Sequence, residues 1–152
     1  MSRTSLVIFV LSLVIFTFLS FTGMGDLPEK IAIHFNVSGS ADAWAPREVY
    51  RVVFFLCLIG FPLFLVSVMA GLPRLARGKG QIPDRHFLLR HACWLGTLTV
   101  AFIYGIHITV IRANAINPPL LAIDRLLVLV FVYLAILAWW VIVFLRHFKQ
   151  TD

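Results

Sequence analysis

The stretch that decides the fold is LPEKIAIHFNVSGSADAWAPR, residues 27–47, which lies between two long apolar runs. Ile31, Ile33 and Phe35 alternate with small or polar residues, and this period of two predicts a short strand with one apolar face. The next residues, VSGS at 37–40, predict a turn in which Gly39 takes a positive φ angle. We therefore expect a folded strand-and-turn cap here, and not a slack connection.

Four apolar runs are long enough to cross a membrane, which takes about 20 helical residues. Hydrophobic residues make up 61% of the 152 residues and charged residues 13%, whereas a soluble domain carries roughly a quarter charged residues. The sequence predicts an all-α integral membrane protein, a single domain over 1–152, with four transmembrane helices and the strand-and-turn cap in the first extracytoplasmic loop. The expected helices are about 5–22, 48–72, 90–111 and 118–146, joined by an outer loop 23–47, an inner loop 73–89 and an outer loop 112–117.

Local signals refine these helices. The first run follows Arg3 and has no small-x-small cleavage site, so we expect a retained helix and not a signal peptide. Pro62 removes a backbone hydrogen bond near the middle of the second run and predicts a kink. Asn117 and Pro118 suit the cap and the first turn of the fourth helix. Small residues at helical spacing predict the packing seam of the bundle on the third: Ala92, Gly96, Thr97, Ala101 and Gly105.

Lysine and arginine set the orientation, because cytoplasmic loops carry an excess of them. With both termini in the cytoplasm, eight of the 13 lie inside and five outside. The inner eight are Arg3, Arg74, Arg77, Lys79, Arg85, Arg90, Arg146 and Lys149. Because these bases are scattered at the ends of apolar runs, we expect a multi-pass protein surrounded by the lipid bilayer, with no nucleic-acid partner. Cys57 and Cys93 fall at opposite depths on this topology, so we expect free thiols.

The polar stretch resembles the signature of a bacterial membrane domain, the domain of unknown function 1648 family, of the form LP-x-x-I-x-x-HFN-x-x-G-x-x-D-x-W/Y. The matching positions are Leu27, Pro28, Ile31, His34, Phe35, Asn36, Gly39, Asp42 and Trp44, with Arg47 near the usual basic position. The resemblance covers roughly residues 6–72 and implies a bacterial inner (plasma) membrane protein. The same domain forms the amino-terminal part of Sdp-type toxin-immunity and signalling proteins, so the resemblance implies an immunity-like or signalling role with a peptide toxin or another membrane protein as partner. A Gly-x-Arg-Thr-Pro-Trp-type motif, which those longer proteins carry, does not occur in this sequence.

Six residues are candidates for binding a ligand or partner: His34, Asn36, Asp42, Trp44, Arg47 and His107. His34 could meet Asp42 across the turn and His107 from the outer end of the third helix. Two histidines and a carboxylate suit a metal site or a pH-responsive cluster. The alternative is that His34 and Asp42 form a hydrogen-bonded pair that holds the loop, while His107 faces the bundle interior and is hydrogen-bonded there.

Enzyme motifs of the types HExxH, GxSxG and CxxC are absent from the sequence, as are paired acids within the spans. We therefore expect no catalytic residues, no resident metal and no cofactor, and a binding or sensing role for the outer loop. The effect of binding at the outer loop would be transmitted through the kink at Pro62 to the basic inner loop. Two other hypotheses stay open: a structural subunit that docks through the Ala101–Gly105 seam, and a metal-dependent membrane hydrolase built from His34, Asp42 and His107.

Overall fold

A computed structural model describes residues 3–25, 27–75 and 85–149, except for the side chains of 72–75 and 147–149. The elements are helix α1 (Arg3–Gly23), strands β1 (Lys30–Phe35) and β2 (Ala41–Pro46), helix α2 (Arg47–Phe55, a π-helical turn Leu56–Gly60, then Phe61–Leu75), helix α3 (Arg85–Asn114) and helix α4 (Ile123–Lys149). All four helices are long and apolar enough to cross a membrane. The predicted class, mostly helical with a small cap between the first two spans, is confirmed.

Helix α3 is the centre of the bundle, because it contacts α1, α2, α4 and β1. Two of its glycines allow the close approach. A Cβ at Gly96 would lie 2.6 Å from a ring carbon of Phe9 on α1 and 3.2 Å from Val66 on α2. A Cβ at Gly105 would lie 3.0 Å from Leu129 on α4. These small residues are therefore used inside the bundle, as the packing-seam interpretation predicts.

Helix α4 packs chiefly against α3, and no residue from 123 to 146 is buried. Large apolar side chains cover its outside: Val128 is 63% exposed and Phe131 67% exposed. In water so much exposed apolar surface would be costly, whereas in hydrocarbon it is solvated by lipid tails. The surface of α4 thus suits a membrane environment, with α3 as its chief protein neighbour.

Two helix boundaries differ from the prediction. Helix α3 begins at Arg85 and not near 90, because Phe87 and Leu88 continue its buried face, at 8% and 1% exposure. The Phe87 ring lies 5.7 Å from that of Phe144 on α4. Part of the expected inner loop is therefore helical, and its residues 76–84 lie outside the described part of the chain.

The prediction that Pro118 starts the fourth helix is wrong, since α4 begins at Ile123. The preceding chain forms a turn and bends at 115–118, and its residues 120 and 121 then hold the hairpin turn. Leu121 N–H donates to the Gly39 carbonyl at 2.8 Å, and Leu120 pairs with Ser40 as an isolated β-bridge. These backbone bonds to the turn take the place of a first helical turn.

Helix α2 departs from α geometry where the kink is expected. The π turn Leu56–Gly60 directly precedes Pro62, whose side chain is buried. Proline lacks an N–H and its ring crowds the carbonyl four residues earlier, so a wider turn relieves both problems. Cys57 in this turn and Cys93 on α3 are free thiols, as predicted.

Replacing Gly39 with alanine is expected to lower the thermal unfolding midpoint of the detergent-solubilised protein by roughly 2–8 °C. Gly39 has a φ of +85°, and an added Cβ would lie 2.4 Å from the carbonyl oxygen of Leu121. The matched control is Gly71→Ala, since a Cβ at Gly71 meets nothing within 4 Å among the described residues and alanine favours a helix. Equal midpoints for the two variants would contradict this reading of the turn.

Candidate functional site

The cap is an antiparallel hairpin with irregular pairing. Lys30 pairs with Pro46, Ile31 with Ala45 and Ala32 with Trp44; the register then shifts, so that His34 lies opposite Ala43 and Phe35 opposite Ala41. The predicted strand exists, but its alternation fails at this shift: Ile31 is fully buried, whereas Ile33 is 48% exposed. The sequence analysis did not predict the second strand, β2. Extra residues in a bulged hairpin turn side chains in new directions, and here they bring His34 and Asp42 together.

His34 and Asp42 form a hydrogen-bonded pair on the exposed side of the hairpin. His34 Nδ1 lies 2.5 Å from Asp42 Oδ1, with the two side chains 70% and 43% exposed. The hydrogen-bonded pair is one of the two arrangements predicted for these residues. Exposed pairs of this kind contribute about 0–1 kcal/mol to stability, so this pair alone does not hold the hairpin.

Asn36 builds the turn from within. Its Oδ1 accepts hydrogen bonds from the backbone N–H groups of Ser38 and Ser40, at 3.0 and 3.1 Å, and from Ser38 Oγ at 2.7 Å. Its backbone carbonyl accepts a hydrogen bond from Gly39 N–H at 2.9 Å. Asparagine is suited to this role because its side chain imitates a backbone turn. The structure thus uses this candidate binding residue internally.

Two arginines of α2 hold the connection between α1 and β1. Arg47 Nη1 donates to the Leu27 carbonyl at 3.0 Å, and Arg51 Nη2 donates to the Met24 carbonyl at 2.9 Å. Glu48 accepts from both side chains, at 3.3 Å from Arg47 and 2.9 Å from Arg51. Arg47, a predicted partner-binding residue, therefore lies below the exposed side of the hairpin and stabilises its base. Leu27 and Met24 are buried at 6% and 2% exposure.

Asn114, at the outer end of α3, fixes β1 to the bundle. Its Oδ1 accepts from Ala32 N–H at 2.8 Å, and its Nδ2 donates to the Ala32 carbonyl at 3.0 Å. Nδ2 also donates to the Val110 carbonyl at 3.0 Å. The side-chain amide thus replaces a neighbouring strand at the open edge of β1, where Ala32 is fully buried. The sequence analysis missed this residue; the only signal is a polar side chain just after a long apolar run.

His107 is buried in the bundle at 1% exposure, as the inward-facing interpretation predicts. Its Nδ1 lies 2.7 Å from the Tyr50 hydroxyl, and its ring stacks on Phe54 with centroids 3.9 Å apart. Nε2 is buried and has no hydrogen-bond partner among the described residues. The residue therefore joins α2 and α3.

The structure does not bring His107 to the His34–Asp42 pair. Within residues 3–25, 27–75 and 85–149, no three histidine, cysteine or acidic side chains are grouped so that they could hold a metal ion. The three residues of the hydrolase hypothesis are divided between an exposed hairpin pair and a buried hydrogen bond to Tyr50. This geometry gives that hypothesis no assembled site.

A cavity of about 690 Å³ lies beneath the hairpin, between α2, α3 and α4. Ile33 and Ala45 cover its outer end, and Tyr133 of α4 lines its far wall. Its walls are mostly apolar, and His107 and Thr99 are among the few polar residues that line it. We call it the lateral cavity. Together with the exposed hairpin side, it is one of two candidate recognition surfaces.

These features define the class: a mostly helical protein with four helices long and apolar enough to cross a membrane. Its folded hairpin is held by α2, α3 and the connection before α4, and it covers a cavity between α2, α3 and α4. Residues 7–61 match the model of a family described as Domain of unknown function (DUF1648). The match runs from α1 through the hairpin to the π turn of α2, and it supports the family resemblance of this part of the chain. No curated protein and no solved structure matches the chain.

Replacing Asn114 with alanine is expected to accelerate amide hydrogen exchange across residues 30–35 by roughly 5- to 150-fold, because each buried backbone group left unpaired costs about 1–3 kcal/mol. Ala32 would lose both of its bonds to the side chain. Asn117→Ala is the control, since Asn117 is exposed on the following connection. Exchange measured by mass spectrometry that rises equally in both variants, or in neither, would contradict the anchoring role.

Proposed function

We propose that this protein is a multi-pass protein of the bacterial inner membrane, with both termini cytoplasmic, that recognises an extracytoplasmic partner through its hairpin. The recognition surface is the exposed side of the hairpin formed by His34, Asp42 and Trp44, hereafter the outer face. The observation that carries the proposal is the way the hairpin is mounted. Its buried side is fixed by bonds to other elements, while the outer face contributes little to that fixation.

The mounting makes the outer face a prepared binding surface. Asn114 holds the edge of β1, Leu121 holds the turn, and Arg47 holds the base, all through bonds to backbone groups. A loop fixed in its bound conformation loses less entropy when a partner binds. Asn36 and Arg47, which were candidates for partner contact, support this surface from below.

The outer face has the composition of a small recognition site. Trp44 is 52% exposed, and tryptophan combines a large apolar area with one hydrogen-bond donor. Asp42, two residues before Trp44 on β2, and His34 on β1 supply hydrogen-bonding groups in a fixed position beside it. Tryptophan is enriched among the residues that carry most of the binding energy at protein interfaces. Since the pair contributes little to stability, partner contact is the stronger reason for its presence.

The partner we propose is a peptide toxin or another membrane protein that reaches the outer surface of the membrane. The resemblance to Sdp-type immunity and signalling proteins supports this choice. The proposal is restricted to the recognition step, because the second motif of those proteins does not occur in this sequence. Transmission through Pro62 to the basic inner loop stays a prediction, as residues 76–84 of that loop lie outside the described residues.

The proposed orientation predicts which residues a membrane-impermeant maleimide reaches in spheroplasts. In a background without native cysteines, Val37→Cys should react at once, because Val37 is 99% exposed at the hairpin turn. Lys79→Cys, in the basic inner connection, should react only after the membrane is permeabilised. The reverse pattern would contradict the orientation, and labelling of both positions in sealed spheroplasts would contradict the membrane location of the chain.

Recognition can be tested by placing a photo-crosslinking amino acid at Trp44 in living cells of the bacterial host. We expect a discrete polypeptide adduct, reduced by roughly 5- to 30-fold in His34→Ala or Asp42→Ala, which is the effect of losing a central interface contact. Arg112→Ala removes an exposed charge outside the hairpin and is expected to leave the adduct unchanged.

Thermal unfolding of the same variants separates recognition from stability. Because the His34–Asp42 pair is exposed, the midpoint is expected to change little in either alanine variant. If both the adduct and the midpoint were unchanged, the outer face would have no part in recognition. A lost adduct accompanied by a strongly lowered midpoint would instead assign the pair a structural role.

A further inference from the structure

We propose that the lateral cavity holds one acyl chain of an outer-leaflet membrane phospholipid. The inference rests on the membrane location and orientation proposed above, and concerns a different surface from the outer face of the hairpin. It is carried by three properties of the cavity: its length, its mostly apolar lining and its opening to the side.

The length of the cavity matches one membrane leaflet. Its lining extends along α3 from Thr99 to Val110 and along α2 from Val49 to Phe61. At the rise of an α-helix these stretches are about 16–18 Å long. Half of the hydrocarbon core is about 15 Å thick. The cavity therefore begins beneath the hairpin and continues inward for the depth of one extended lipid tail.

The volume of the cavity suits a hydrocarbon chain. It is about 690 Å³, within the roughly 300–1,000 Å³ of small-molecule sites. An unbranched acyl chain can lie along the length of such a cavity.

Most polar atoms of the lining are already paired; an exception is His107 Nε2, which is buried without a hydrogen-bond partner among the described residues. The Tyr50 hydroxyl lies 2.7 Å from His107 Nδ1, and Thr99 Oγ1 donates to the Leu95 carbonyl at 2.9 Å. The Tyr133 hydroxyl is 3.3 Å from Thr99 Oγ1. Small polar ligands are oriented by a few polar groups that converge on them, and these groups are turned to one another instead. The lining thus favours an occupant that needs no hydrogen bond.

The cavity is also open to the medium that supplies such a chain. Val53 lines it and is 54% exposed, and Cys57 in the π turn lines it and is exposed as well. Since α4 packs chiefly against α3, the gap between α2 and α4 faces outward at membrane depth. A lipid tail can enter from the side, with its headgroup at the level of the hairpin.

Photolabelling tests this assignment. The full chain is reconstituted in nanodiscs of phosphatidylethanolamine and phosphatidylglycerol that contain a trace phospholipid with a diazirine in the middle of one acyl chain. Adducts are mapped by mass spectrometry at Phe102, which lines the cavity, and at Phe131 on α4. Phe131 is 67% exposed and does not line the cavity. We expect about tenfold more adduct at Phe102, corresponding to about 1.4 kcal/mol of preference.

A matched pair of variants identifies the site. Val53→Trp fills the cavity and is expected to reduce the Phe102 adduct by about fivefold or more. Val52→Trp adds the same bulk to the neighbouring residue, which is 60% exposed and outside the cavity, and should leave the adduct unchanged. Ala45→Phe narrows the outer end from the hairpin and should act like Val53→Trp, so the test does not depend on one variant folding.

Three results would overturn the lipid assignment: equal labelling of Phe102 and Phe131, labelling that neither cavity variant reduces, or a polypeptide adduct in cells when a photo-crosslinking amino acid replaces Phe102. The first two indicate ordinary boundary lipid, and the third indicates a protein occupant. Failure of the chain to enter nanodiscs would contradict the proposed membrane location. Uniform labelling of a chain that has entered nanodiscs would contradict only the lipid assignment.

Discussion

The backbone of Ala32 imposes the constraint on which the outer half of the molecule depends. A hairpin of two strands is marginally stable on its own, and a buried N–H and carbonyl must find partners. Asn114 supplies both with one planar amide, at 2.8 and 3.0 Å. The remaining attachments, from Arg47 and Arg51 at the base and Leu121 at the turn, act on a hairpin whose edge is already fixed.

Most of the signature in residues 27–44 is explained by this mounting. Leu27 and Ile31 are buried, Asn36 and Gly39 form the turn, and the His34–Asp42 pair lies where the strand register shifts. Trp44 stands apart, because it is half exposed and no attachment of the hairpin described above uses its side chain. Most residues of the signature therefore have a structural role in the hairpin, and Trp44 is the one for which no such role is described.

The helices were predictable from the sequence because length and hydropathy alone decide whether a segment suits a membrane. The ends were less predictable, since Phe87 and Leu121 take their conformations from neighbours distant in sequence. Strand β2 gives almost no signal, because Ala41, Ala43 and Ala45 are poor strand formers. Of the candidate site, the His34–Asp42 pair followed from its spacing across a turn. The Asn114 contact, 82 positions from its partner, and the lateral cavity depend on tertiary packing that no local pattern encodes.

The distance along the chain between Ala32 and Asn114 has a consequence for biosynthesis. Translation proceeds at roughly 5–20 residues per second, so the 82 residues between them take about 4–16 s to make. During that interval the hairpin segment has been synthesised, while the amide that completes its edge has not. The segment matched by the family model, residues 7–61, ends before any part of α3. That segment therefore lacks the Asn114 amide that completes the edge of its own strand β1, because α3 supplies this amide later in the chain.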